Sequence, residues 1–169
     1  MARKQLILDG SEYDLDRSIA DLEDIRRYNL QRFEMEQLTA IVFEDPARSI
    51  CVGYKDVTEG DFWVRGHMPG KPLMPGVVMC EVAAQLCSYY AQKFDLLGSR
   101  AVGFGGMEEV RFRLPVEPPC RFVVVCQMAK VRRNVIITSH FQGLVNGALA
   151  VEGLIKGIPL PADFLPRGE

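Results

Sequence analysis

Along most of this chain apolar residues recur at strand spacing, and one stretch breaks that rhythm. Val77-Val78-Met79-Cys80-Glu81-Val82-Ala83-Ala84-Gln85-Leu86-Cys87 is apolar nearly all round, the mark of a helix enclosed by the rest of a domain. The predicted helix runs from about Gly76 to Phe94, with Pro75 at its start and Gly98 beyond its end. Upstream, Ile19, Leu22 and Ile25 repeat at helical spacing. They predict a short helix over 18–28, with Ser18 as its cap and Asp21 placed for a capping box. Residues 38–43 read as a strand, 44–48 as a turn, 49–57 as a returning strand, and Phe62-Trp63-Val64 as a short extended piece. Downstream, 101–107, 110–114, 122–131, 135–144 and 149–158 read as extended, with hairpin turns at Arg132-Arg133-Asn134 and Asn146-Gly147. Short connections favour an antiparallel sheet, so the expected class is α+β, a sheet curled around one buried helix. The free edges of such a sheet are natural pairing sites between two copies.

The 169 residues, 48% apolar and 25% charged, fit one domain with a proper core. No repeat or linker divides the chain. The expectation is a single domain over 1–169, with its core at about 19–158, an N-terminal extension over 1–17 and a loose tail over 159–169. A net charge of −2 argues against nucleic acid as the main partner. No apolar run reaches the roughly 18–20 residues of a membrane span, and the N-terminus has no leader pattern. The expected location is the cytoplasm. Cys51, Cys80, Cys87, Cys120 and Cys126 form no CxxC pair. That set suits a reducing compartment and packing roles, and with two histidines in the chain it offers no zinc spacing.

Chemistry enters with one acid in an apolar helix. A carboxylate such as Glu81 is rarely buried without a partner or a task. Just upstream, the Gly/Pro-rich loop over 66–76 carries His67, and Pro69, Pro72 and Pro75 stiffen it. One of their peptide bonds could be cis. A histidine on a stiff loop leading into a buried acid is the raw material of a general acid/base pair. Each residue also has a plain reading. A loop histidine is most often structural or solvated, and a helix acid can be a paired structural group. His140 reads as structural. Lys130, Arg132 and Arg133 read first as a solvated turn, and second as a docking patch for an acidic partner.

The stretch Gly66-His67-Met68-Pro69-Gly70-Lys71-Pro72-Leu73-Met74-Pro75-Gly76-Val77, followed by Glu81-Val82-Ala83-Ala84-Gln85, resembles the signature of the 3-hydroxyacyl-[acyl carrier protein] dehydratases of dissociated fatty acid synthesis. That signature has the form GHFPGxPxMPGVxxxExxAQ, and Met68 in place of the aromatic residue is the one change at a fixed position. Phe104-Gly105-Gly106-Met107-Glu108, Arg111 to Val116 and Asp45 to Ser49 extend the likeness, which runs from about Ile19 to Ile158. Two departures stand out. A family stretch that is apolar and helps gate the substrate channel is polar here, over 34–40. Pro118-Pro119-Cys120 stands where the family has Pro-Gly-Asp.

The resemblance implies a hot-dog fold, dimers joined through sheet edges, and in some relatives trimers of dimers. It implies dehydration of a 3-hydroxyacyl thioester on acyl carrier protein, without metal or organic cofactor. That reaction needs a base for the Cα proton, an acid for the C3 hydroxyl and a donor for the thioester oxygen. Histidine titrates nearest neutral pH, so His67 suits the base. Glu81, desolvated on its helix, suits the acid. The Gly76 N–H, at a helix N-terminus, suits the developing oxyanion. Gln85 lies one turn beyond Glu81 and can orient it or a water. Phe104 and Gly106 are candidate tunnel-lining residues. In the family the histidine and acid that meet come from different subunits. The alternatives are a hot-dog thioesterase, a dehydratase that also isomerises its product, and a non-catalytic acyl-binding protein.

Overall fold

Two apolar strands lie side by side in the sheet, and both of their faces are covered. The computed structural model describes residues 5–164. Its strands are β1 (Ala40–Asp45), β2 (Ile50–Val57), β3 (Val102–Phe112), β4 (Cys120–Arg132), β5 (Ile136–Val145) and β6 (Ala148–Pro159). They form one sheet in the order β1-β2-β4-β5-β6-β3, antiparallel at every pairing. Between β2 and β3 the chain forms the long helix α2 (Gly76–Lys93), which packs against β2, β3, β4, β5 and β6. A sheet curved around one helix is the hot-dog architecture.

Alternation explains the two covered faces. Cys51 of β2 and Phe122, Val124 and Cys126 of β4 point to the helix side, where they meet Val82, Ala83 and Leu86. A Cβ on Gly53 would come within 3.0 Å of Leu86 Cδ1, so glycine there lets the helix approach closely. Val52, Tyr54, Val123 and Val125 point to the other side and form a second core with Leu8, flanked by Leu6, Ile7, Tyr13 and Leu15. The N-terminal segment thus lies across the outer face. Ile7 N donates to Gln142 Oε1 at 2.8 Å, Arg121 Nη1 donates to Leu15 O at 3.0 Å, and Arg48 pairs with Glu12 at 2.7 Å. We expect Leu8→Ala, at a position 3% exposed, to cost about 2–5 kcal/mol of stability. An unchanged urea midpoint would show that the segment does not hold this face.

Three local expectations are corrected. The short helix, α1, spans only Leu22–Arg26, and its cap is Asp21, which accepts from Asp24 N at 3.0 Å. Ser18 is not the cap, because residues 19–20 are committed to the sheet: Ile19 N donates to Ile41 O at 2.8 Å and Ile41 N to Ala20 O at 2.9 Å. Phe62-Trp63-Val64 is a run of turns, not an extended piece. Asp61 accepts from Thr58 N and pairs with Lys55, and Val64 N donates back to Asp61 O. Residues 101–107 and 110–114 merge into the single strand β3, with irregularities between Phe104 and Gly106 and between Glu108 and Arg111. Of the tail, Ala162–Phe164 forms one turn of 3-10 helix, and 165–169 lies outside the described residues. Among the described residues no helix is long and apolar enough to cross a membrane.

Candidate active site

The 66–76 loop is closed on itself by its own backbone. His67 N donates to Trp63 O at 2.8 Å, Leu73 N donates to His67 O at 2.8 Å, and Met68 and Lys71 exchange bonds at 3.2 and 3.1 Å. The His67–Met68 peptide is cis, and the loop prolines are trans. His67 Nδ1 lies 2.7 Å from Leu73 O. A carbonyl oxygen only accepts, so Nδ1 carries a hydrogen, and in the neutral ring the lone pair is then on Nε2. The ring is half-buried and faces a cleft of about 630 Å³ that Gly76, Val77 and Phe112 also line. An imidazole held by one nitrogen, with the other turned to a cleft, has the form of a general base.

Gly76 opens α2. Pro75 O accepts from Val78 N at 2.9 Å and Met79 N at 3.1 Å, so the Gly76 and Val77 N–H groups have no acceptor within the helix. A Cβ on Gly76 would come 2.7 Å from the Phe112 ring, so only glycine fits beneath that ring without displacing it.

Glu81 lies in the middle of the same helix. Burial raises its pKa above the usual carboxylate value, and the hydrogen bond from Gln85 partly opposes that rise. Gln85, 2% exposed, makes a full set of contacts. Its Nε2 donates to Glu81 Oε1 at 2.7 Å and to Met35 O at 2.7 Å, and its Oε1 accepts from Gln37 N at 2.9 Å. Asn29 Nδ2 also donates to the Gln85 carbonyl at 3.0 Å. The Gln37 N–H can only donate and the Met35 carbonyl can only accept, so these backbone groups dictate which way the amide points. Gln85 therefore presents a donor to Glu81 Oε1, which must accept. A proton on the acid resides on Oε2. Gln85→Leu would leave Gln37 N buried without a partner, at roughly 1–3 kcal/mol, and remove the bonds to Met35 O and Glu81 Oε1, at about 1 kcal/mol each. We expect it to lower unfolding stability by about 2–5 kcal/mol, read by urea denaturation. A loss under about 1 kcal/mol would mean that the 35–37 segment is held by something else.

The polar 34–40 stretch is thus the clamp on Gln85. Sequence reading marked it as atypical, but its contacts run through backbone atoms, which carry no side-chain signal. Arg26 adds a two-point ion pair to Glu36, at 2.6 and 2.8 Å, and Gln37 Nε2 donates to Glu34 O at 2.6 Å.

The structure brings some of the expected residues together and not others. Glu81 lines a space of about 200 Å³ with Gln37, Phe62 and Val77, and another of about 80 Å³ with Phe104, Ala84 and Cys87. His67 lines neither; Val77 is the residue common to its cleft and to the larger Glu81 space. Gly106 follows the bulge at Gly105 on β3, with φ of +147°, and lines none of these spaces. His140 is exposed on the sheet. Arg133 is tied to Asp95 at 2.6 Å, while Lys130 and Arg132 stand exposed. All five cysteines are free thiols. Among the described residues no group of three His, Cys, Asp or Glu side chains is placed to hold a metal ion.

The chain thus pairs a hot-dog sheet with a helix that starts beneath a histidine loop and carries a half-buried acid. The chain belongs to the FabA-like domain family, whose pattern matches residues 29–153, and by that membership it is a hydro-lyase. It is 35% identical over 124 residues to a 3-hydroxyacyl-[acyl-carrier-protein] dehydratase FabZ of Desulfotalea psychrophila, covering 72% of this chain and 81% of that protein. It is 38% identical over 105 residues to the protein of the same name from Thermomicrobium roseum, covering 62% and 70%. Among solved structures it is similar in fold to the dehydratase heterocomplex ApeI:P of Xenorhabdus doucetiae. That match has a TM-score of 0.69 at 12% identity, over 87% of this chain and 95% of that one.

Proposed function

We propose that this protein dehydrates (3R)-3-hydroxyacyl groups on acyl carrier protein to trans-2-enoyl groups, as a cytoplasmic step of fatty acid synthesis. The observation that carries the reading is the state of the two candidate groups. His67 has a free Nε2, fixed by the Leu73 carbonyl, and Glu81 has one oxygen occupied by Gln85 and a pKa raised by burial. One is built to take a proton, the other to give one.

In this mechanism His67 Nε2 removes the Cα proton. Charge builds on the thioester oxygen, where the free N–H groups at the start of α2 receive it. Glu81 Oε2 protonates the C3 hydroxyl, which leaves as water. Both groups return to their starting states when the imidazolium hands its proton back through solvent or the departing water. The site forms between two copies of the chain. His67 and Glu81 of one chain open into separate spaces, and β3 is an edge strand with Phe104, Met107 and Phe112 at least 40% exposed. A second chain along that edge covers those side chains and closes each histidine cleft with the opposite acid.

The test is the ultraviolet absorbance of crotonyl-acyl carrier protein on adding the protein. Loss of the conjugated chromophore without thiol release supports the dehydratase run in reverse. Thiol release would instead make the protein a thioesterase, and no change in either signal would leave an acyl-binding role.

A further inference from the structure

The His67 loop is anchored at both ends. At the far end, Leu73 N donates to His67 O at 2.8 Å and Met74 N donates to Val116 O at 2.8 Å, beside the start of α2. At the near end the anchor is an ion pair. Lys55 of β2 reaches Asp61 Oδ1 at 2.7 Å, and the two side chains are only 10% and 9% exposed. The other carboxylate oxygen, Oδ2, accepts from Thr58 N at 2.8 Å, and the Asp61 carbonyl accepts from Val64 N at 3.0 Å. The turn closed in this way presents the Trp63 carbonyl, which accepts from Gly66 N at 3.1 Å and from His67 N at 2.8 Å. Among the described residues every other hydrogen bond of residues 58–73 closes within that segment, and an exposed Lys71–Glu117 contact at 3.9 Å is the remaining ion pair. The Trp63 indole is buried, but its Nε1 has no partner among the described residues, so packing alone seats the ring.

We propose that the Lys55–Asp61 pair positions His67, fixing through the Trp63 carbonyl where the imidazole stands relative to the start of α2. The inference rests on the dehydratase reading above, with His67 as the base. Neither member of the pair lines the His67 cleft, so both are positioning residues that act through the loop backbone. A buried ion pair adds little net stability over well-packed apolar residues of the same size, and removing one partner alone is costly. What the pair supplies here is direction, because Asp61 is gripped at both carboxylate oxygens. A general base works only within hydrogen-bond reach of the proton it takes, and a remote change that displaces a reacting group by about 1 Å costs about a hundredfold. The substrate keeps its own contacts, so the loss falls on kcat and not on KM.

The experiment measures kcat and KM for hydration of crotonyl-acyl carrier protein, together with thermal melting, in wild type, Asp61→Asn, Lys55→Met and the double variant. Asp61→Asn keeps an acceptor for Thr58 N. Each single variant leaves one buried charge without its partner and should melt lower than wild type. The double variant removes both charges, and its melting temperature should return toward the wild-type value. In all three, kcat should nonetheless stay about ten- to a hundredfold low, with KM within about twofold of wild type. A pair that only held the fold would move melting and activity together. Recovery of kcat along with melting in the double variant would therefore overturn the proposal. So would wild-type kcat in a folded single variant, or a raised KM at unchanged kcat, which would assign the turn to substrate binding. Rates are read well below each melting midpoint, and the double variant decides for any single variant that does not fold. A wild type that hydrates no enoyl thioester would remove the dehydratase reading itself, and the positioning role with it.

Discussion

Glu81→Gln is expected to lower turnover by about 10²–10⁴-fold, the usual worth of a positioned acid, while the protein stays folded and loses less stability as pH rises from acid to neutral. The amide matches the protonated carboxyl in shape, and its carbonyl can still accept from Gln85 Nε2, which now donates to Glu81 Oε1 at 2.7 Å. What it lacks is the proton to give. The stability effect follows from the direction of the pKa shift. Burial raises the Glu81 pKa in the folded state, so the native protein binds this proton more tightly than the unfolded chain does. Where the unfolded chain has lost the proton and the native state has not, stability falls as pH rises. The contribution is fully present below the ordinary glutamate value and is lost by the time pH has passed through the raised one. The variant has no such group, so its urea midpoint should decline less than wild type's between acid and neutral pH. In the wild type, turnover should fall as pH rises through the Glu81 titration. A variant with near-normal turnover would remove Glu81 from the mechanism. A steeper decline of stability than wild type's would contradict the burial argument.

The legible parts of this fold are those with local causes. α2 announces itself through an apolar run with Pro75 at its head, and the structure begins it at Gly76. The β5–β6 hairpin follows from Asn146-Gly147, both at positive φ, as a tight two-residue turn requires. The parts that escaped depend on distant partners. The helical spacing of Ile19, Leu22 and Ile25 is real, but Ile19 and Ala20 bond to Ile41 instead, and backbone pairing outweighs a weak helical pattern. The N-terminal segment carries too few apolar residues to signal a role, yet Leu8 becomes central once β2 and β4 offer an apolar outer face. The same division holds at the candidate site. His67, Glu81 and Gln85 stand out by spacing and by polarity in an apolar helix. Their supports, the Leu73 carbonyl and the backbone of Met35 and Gln37, are atoms every residue possesses, and only the folded chain singles them out.

His67→Ala is expected to be as inactive as Glu81→Gln, and the two inactive proteins should restore activity to each other when their subunits exchange. Within one chain His67 lines the cleft beside Phe112, while Glu81 lines the spaces beside Phe62 and Phe104. In the two-chain site proposed above, each half of the chemistry is completed across the exposed β3 edge. In a dimer of one His67→Ala chain and one Glu81→Gln chain, one site collects both defects and the other collects neither. Random exchange makes half of all dimers mixed, and half of the sites in those are intact. The expected recovery is thus about a quarter of wild-type activity, from the two-fold symmetry of the pair. Loss of the imidazole removes a general base worth about 10²–10⁴-fold, so a quarter stands far above either parent. The measurement is the hydration rate of crotonyl-acyl carrier protein after partial unfolding and refolding of the mixture, with exchange confirmed by mass on differently tagged chains. Exchange without recovery would place both residues of a working site on one chain, and would require the His67 loop to swing across Val77 to reach the acid.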